Sequence, residues 1–284
     1  MVKEKLIKKQ PYKGSFAIVC GGSSGIGKAT AKLFVQLGGS VCIVARTADT
    51  LKKAVNEIKG LKVKEEQIVE FISCDTTNLE QVNQLFNEFF DKHRVPDYLF
   101  NYVGISYPQY TDKSEFKDLK FHMDTNYYGQ LIPIITILPH FIKQKSGHII
   151  NMSSVAGFIG VMGYAGYTPT KFAIAGLSEV LRNEYKAYNI KVSVIFPPDT
   201  NTHGLAEEAK TRPEELNIIS EHAGLLQPEE VAEKILKDVL KGKFSILPGS
   251  AKLVWRMKRL FPKLVFWVSD RDLKKARKML GKEI

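Results

Sequence analysis

The 284-residue sequence predicts an α/β fold in which a doubly wound parallel sheet is flanked by helices and followed by a C-terminal amphipathic helical extension. Three observations carry that reading. Short apolar runs rich in β-branched residues show no polar alternation, as strands do when both faces of a parallel sheet are covered. These runs alternate with helix-periodic segments from residue 15 to about 247, the pattern of right-handed βαβ units. A glycine-rich turn stands at the first strand–helix junction.

Taken in order, strands are expected at Phe16–Cys20, Ser40–Val44, Ile68–Ser73, Tyr98–Phe100, His148–Met152 and Lys191–Phe196, with an edge strand at Phe244–Leu247. Helical periodicity covers 25–38, 47–59, 78–93, 113–144 and 167–188. From Pro197 to Leu226 no period holds, and a segment of that length in a compact domain is expected to be a lid or a pair of short helices over a site. Gln227-Pro228-Glu229-Glu230 opens a further helix, with proline in its first turn and acids at the positive end of the dipole. Over 251–268, Lys252, Arg256, Arg259 and Lys263 fall on one stripe, while Leu253, Met257, Leu260, Phe261, Leu264 and Val268 gather on another face. Pro262 is expected to break that stretch into two pieces, and Ser269 to cap a last helix through Leu280.

Composition is that of an ordinary globular chain, 44% hydrophobic and 25% charged, but the formal charge is +11. It is unevenly placed. Residues 1–14 hold five lysines and one glutamate, and residues 250–284 hold eleven Lys/Arg and three acids, so residues 15–249 are close to neutral. The expected organisation is a basic arm (1–14), a nucleotide-binding domain (15–249) with a lid at about 199–226, and a basic amphipathic extension (250–284). No recognition motif accompanies the charge, so nucleic acid is not an expected partner. Cys20, Cys42 and Cys74 match no metal-ligand spacing and read as small buried hydrophobes, so no metal is expected. The N-terminal residues lack a signal-peptide core and no run reaches membrane-spanning length, which predicts a cytoplasmic chain, peripheral on a membrane surface.

The glycine turn, Gly21-Gly22-Ser23-Ser24-Gly25-Ile26-Gly27, follows a strand and opens a helix. A pyrophosphate needs a tight turn, close backbone approach and unpaired N–H groups at a helix start, and this turn offers all three. The second strand ends in Ala45-Arg46. A ribose 2′-OH is usually held by an acid here, whereas a 2′-phosphate calls for a cation; Arg46 therefore favours NADP(H), with Asp49 keeping NAD(H) as the alternative.

Tyr167 and Lys171, four apart on a helical segment, share a face. A neighbouring ammonium is expected to ease proton transfer from the phenol, and Ser154 can hydrogen-bond the reacting oxygen. Ser153 is the alternative to Ser154. In this order, downstream of the glycine turn, these residues resemble the short-chain dehydrogenase/reductase family over residues 14–247. The matching pieces are Gly21-x-x-x-Gly25-x-Gly27, Asp75, Asn101-Tyr102-Val103-Gly104, Asn126, Ser153-Ser154, Tyr167-x-x-x-Lys171 and Pro197-Pro198 through Thr202.

The resemblance implies a Rossmann-type fold, NADPH as cofactor and a catalytic tetrad of Asn126, Ser154, Tyr167 and Lys171. It places Asp75 at the adenine, Asn101 and Gly104 in support of sheet and cofactor, Asn126 as holder of a water leading to Lys171, and Thr200 and Thr202 at the nicotinamide or phosphates. It also sets Tyr167 and Lys171 against the cofactor, with Lys171 on the nicotinamide ribose. Two departures stand out: Tyr102-Val103 replaces a smaller Asn-Ala, and Pro198 replaces a glycine. The Pro197-Pro198-Asp199-Thr200-Asn201-Thr202 run resembles the branch that reduces 3-ketodihydrosphingosine, a long-chain keto-amine lipid. A reductase of another bulky ketone (steroid, retinoid or acyl) and a non-catalytic NADP-binding scaffold are the competing functions. For residues 250–284, docking on an anionic membrane competes with packing on the chain's own domain or a second subunit. The family further implies a homo-oligomer, associating through the long helices at 113–144 and 167–188.

Overall fold

A computed structural model describes residues 7–220 and 224–282; the first six residues of the basic arm, the lid residues 221–223 and residues 283–284 lie outside the described residues. Seven strands form one sheet: β1 (Phe16–Cys20), β2 (Ser40–Ala45), β3 (Val69–Ser73), β4 (Tyr98–Asn101), β5 (Gly147–Met152), β6 (Ile190–Ile195) and β7 (Ser245–Ile246). Their spatial order is β3-β2-β1-β4-β5-β6-β7 and every pairing is parallel. This is the doubly wound Rossmann-type architecture that the unbroken apolar runs predict. Winding reverses between β1 and β4, where a crevice opens beyond the carboxyl ends of the strands.

Helices α1 (Gly25–Gln36), α2 (Ala48–Lys59) and α9 (Pro228–Leu240) cover one face, where Phe34, Leu51, Val55 and Ile235 pack on Val19, Ile43 and Phe100. Helices α3 (Leu79–Lys92), α5 (Gly129–Gln144) and α6 (Tyr167–Tyr185) cover the other, with Phe86, Ile134, Ile137 and Leu181 against Ile18, Leu99 and Ile149. Cys20, Cys42 and Cys74 are free and buried in this second core. The expected start of α9 is a capping box, the Gln227 N–H donating to Glu230 Oε2 at 2.8 Å.

Two expected elements differ. The single helix over 113–144 is interrupted: α4 (Phe116–Met123) passes through a π turn at Asp124–Tyr128 before α5 begins. The Asn126 side chain there accepts from Ile105 N (2.7 Å) and donates to Ile105 O (2.9 Å), tying the extra residue to the β4 loop. In the extension, α10 (Ala251–Leu260) ends at Phe261 and α11 (Pro262–Met279) starts on Pro262 as expected, but α11 then runs straight through Ser269. Ser269 is not a cap, because its hydroxyl donates back to Val265 O at 3.0 Å inside the helix.

The lid contributes two short helices, α7 (His203–Ala209) and α8 (Glu214–Ser220). The far end of α11 rests on α8: Ala276 is buried, Arg277 Nε lies 3.8 Å from Glu215, and Lys282 lies 3.0 Å from Glu214 and 3.3 Å from Glu215. Leu253, Leu260, Phe261, Leu264, Phe266 and Trp267 are exposed at the α10–α11 junction. Among the described residues, no helix is long and apolar enough to cross a membrane.

Candidate active site

A cleft of about 770 Å³ runs along the carboxyl ends of the strands, from the glycine turn after β1 to the lid. Its near end is formed by Gly21, Ser23, Ser24, Gly25, Ile26 and Gly27. Gly21 and Gly25 have φ of +75° and +51°, and a Cβ on Gly27 would lie 2.2 Å from Gly21 O, so the turn closes only on glycine. The Ser24 hydroxyl makes no capping bond to α1, and no acid occupies its first turn. An uncapped helix start beside closely approachable backbone fits a pyrophosphate. Arg46 lines the cleft at the end of β2; Asp49 does not, and sits 3.7 Å from Lys52 on the surface of α2. Asp75 also lines the cleft, its carboxylate fixed by Thr77 N (3.0 Å) and Thr77 Oγ1 (2.8 Å).

The β4 end explains the first departure. Tyr102 turns its ring under α1, where a Cβ on Gly27 would meet it at 3.1 Å, and its hydroxyl is buried beside Thr30. Asn101 does not reach the cleft: fully buried, it donates to Asn151 Oδ1 at 3.0 Å, cross-linking β4 and β5. Gly104 does line the cleft, and a side chain there would meet Lys171 Nζ at 3.2 Å and Asn126 Oδ1 at 3.4 Å.

At the middle of the cleft, Ser154 follows β5 and Tyr167 opens α6. Ser154 Oγ accepts from Ala156 N at 3.1 Å and lines the cleft together with Tyr167. Ser153 points the other way, its hydroxyl donating to Lys171 O at 2.8 Å. Lys171 is buried, donates to Met152 O at 3.1 Å and lies 5.3 Å from the Tyr167 ring centre. Asn126 is also fully buried and spends its amide on Ile105 and on Thr170 Oγ1 (3.1 Å).

Electrostatics here run against the sequence expectation. Burial pushes the Tyr167 phenol well above its ordinary value, opposed by the nearby Ser154 hydroxyl and reinforced by the charges of Glu208 and Asp199. Burial also lowers Lys171 to about 7. For the buried Lys171 the cost of desolvating its charge dominates. A phenol kept neutral in this way is a proton donor to an oxygen that gains charge.

Thr200 and Thr202 line the lid side of the cleft. Thr200 Oγ1 donates to Pro198 O at 2.9 Å, and Thr202 caps α7 by accepting from Leu205 N at 3.2 Å, its methyl facing Gly25. Beyond Tyr167 the wall holds Tyr164, Glu208 and Arg212, together with Asp199 of the Pro197–Thr202 run, to none of which the sequence assigns a role. Their separation across loop and lid hides their proximity in sequence. The available signal was an arginine and acids inside a segment already expected to cover a site.

Fold and site together define a nucleotide-dependent oxidoreductase, and residues 15–213 match the family described as short chain dehydrogenase, to which the chain belongs. Among its relatives, the 3-dehydrosphinganine reductase of Danio rerio is 39% identical over 243 residues, covering 84% of this chain and 73% of the relative. The 3-ketodihydrosphingosine reductase of Mus musculus is 37% identical over 238 residues, covering 84% and 72%. In architecture the chain is similar to levodione reductase, with a TM-score of 0.74 over 81% of this chain and 91% of that one at 21% identity.

Proposed function

We propose that the chain is an NADPH-dependent reductase that converts the ketone of 3-ketodihydrosphingosine to the alcohol of dihydrosphingosine. The observation that carries the reading is the line of the cleft, from an uncapped glycine turn with Arg46 beside it, past Ser154, Tyr167 and Lys171, to a pocket walled by the lid. The two relatives named for this reaction, each covered over more than two thirds of its length, support the substrate.

Gly21 through Gly27 would hold the pyrophosphate, Arg46 the 2′-phosphate, Asp75 the adenine end, and Gly104, Thr200 and Thr202 the nicotinamide end. When bound, the cofactor supplies a hydride to the ketone carbon. Ser154 donates a hydrogen bond to the ketone oxygen, and Tyr167 gives that oxygen its proton, so the carbonyl becomes a C–H and an O–H. Lys171, held by Met152 O, returns a proton toward the phenol. Asn126 keeps the Lys171 side of the pocket closed by pinning the π turn to Ile105 and Thr170. Peripheral docking on anionic lipid through the exposed apolar residues at the α10–α11 junction, at the cytoplasmic face of a membrane, belongs to the same reading, since the substrate resides in lipid. Exposed Ile135, Phe172 and Val180 on α5 and α6 favour association with a second copy.

The test is NADPH oxidation with a panel of ketones. Turnover of 3-ketodihydrosphingosine is expected to exceed that of steroid, retinoid and acyl ketones, and Tyr167→Phe is expected to reduce it by about 10²–10⁴-fold with NADPH binding retained. Silence on the keto-amine with activity on another ketone would overturn the substrate assignment.

A further inference from the structure

The lid end of the cleft carries a mixed charge cluster that hydride transfer does not use. Glu208 on α7 accepts from Tyr164 Oη at 2.5 Å and pairs with Arg212 through the same oxygen, Oε1. Asp199 lies 3.6 Å from that guanidinium, and Arg212 Nη1 donates to Ser220 at 3.1 Å. All of these residues line the cleft. Two carboxylates share one guanidinium, so the cluster's formal charge is −1. Glu208 Oε2 takes no hydrogen bond from any described residue.

Arg212 is 8% exposed and its guanidinium is held between the two carboxylates, so it can balance only one of them. The cluster is therefore short of one cation, with Glu208 Oε2 the atom left to meet it. It is also close to the reacting centre: the Tyr164 and Tyr167 ring centres are 5.8 Å apart, and Val161, Leu205, Leu216 and Ile219 supply apolar wall alongside.

We infer that Glu208, with Asp199, is the binding site for an ammonium on the carbon next to the ketone. This rests on the keto-amine reading of the site and deepens it: the lid selects a 2-amino-3-ketone over a plain long-chain ketone. The bound ammonium restores charge balance to the cluster. Burial already pushes the Asp199 carboxyl up, a cost that an incoming cation relieves.

The experiment compares 3-ketodihydrosphingosine with 1-hydroxyoctadecan-3-one, which keeps chain and hydroxyl but lacks the amine, using full-length protein and NADPH. Wild type is expected to favour the amino ketone by about tenfold or more in kcat/KM. Glu208→Gln keeps an acceptor for Tyr164 and is expected to bring the two ketones near parity, with the loss in KM for the amino ketone. Asp199→Asn gives the same direction with a smaller change and serves if Glu208→Gln does not fold. Equal use of both ketones by wild type, or an equal fractional loss on both in the folded variants, overturns the inference while leaving the reductase assignment intact. No turnover of either ketone by wild type overturns the keto-amine reading and the inference with it.

Discussion

Burial of Lys171 takes an ammonium out of water with Met152 O as its hydrogen-bond acceptor, and its affinity for a proton falls from 10.5 to about 7. Below about pH 7 the side chain is charged in both folded and unfolded chains, and the folded state carries the full desolvation cost. Between 7 and 10.5 the unfolded chain holds a proton that the folded chain has released, so this residue's contribution to stability rises with pH through that window. Lys171→Met, of similar length and uncharged, is expected to melt several degrees above wild type at about pH 6 without cofactor, the gap closing toward about pH 10. Reductase activity should be lost throughout. Thermal melts at both pH values check it, and a gap that widens with pH would contradict the assignment. At this scale the sequence was informative about identity and less so about direction. Tyr167 and Lys171 announce themselves by spacing, but Ser153 and Ser154 are adjacent in sequence, and only the packing against α6 turns one hydroxyl to a carbonyl and leaves the other on the cleft. Asn101 matched a motif, yet its amide serves the β4–β5 pairing.

The strands were legible because a central parallel strand has no solvent side, leaving runs such as Phe16–Cys20 without a polar residue to blur the ends. Breaks inside helices were not. The π turn at Asp124–Tyr128 contains no glycine or proline, and its cause, the Asn126 amide reaching Ile105, is a contact across 21 residues. Ser269 misled for the opposite reason: Ser-Asp after an apolar run has the composition of a helix start, while the hydroxyl is satisfied locally by Val265. The glycine turn gives the sharpest element-level expectation. Gly27→Ala would set a methyl against Gly21 O, a backbone atom that moves only if the turn opens, so a loss of more than about 2 kcal/mol and of NADPH affinity is expected. Gly160→Ala, with nothing within 4 Å, is the control and should change stability by less than about 0.5 kcal/mol. Chemical denaturation and NADPH fluorescence read both.

For the molecule as a whole, the +11 charge belongs to the two ends, and the larger share decorates α10 and α11. Lys258 lies over Phe266 (3.6 Å) and Arg259 over Trp255 (4.5 Å), so cations and aromatics are interleaved near the junction. If this end meets lipid, a Phe266→Ser, Trp267→Ser double variant should float with anionic vesicles several-fold less than wild type while reducing a water-soluble ketone normally. Unchanged flotation would remove the junction from the account. Sequence could not choose between lipid and protein for residues 250–284 because two halves of one extension do different things: the junction is bare, and the last turns are clamped to α8.

That clamp changes how the C-terminus can be studied. Glu215 is a carboxylate with 2% of its side chain exposed, and Arg277 and Lys282 are among the cations beside it; on the other side of the same short helix, Leu216, Ile219 and Ser220 face the cleft. Cutting the chain after Ser269 would strand that carboxylate and unseat a wall of the substrate pocket. A deletion made to ask about membrane attachment would be measured as a change in KM, and the two effects separate only through point substitutions that leave Arg277 and Lys282 in place.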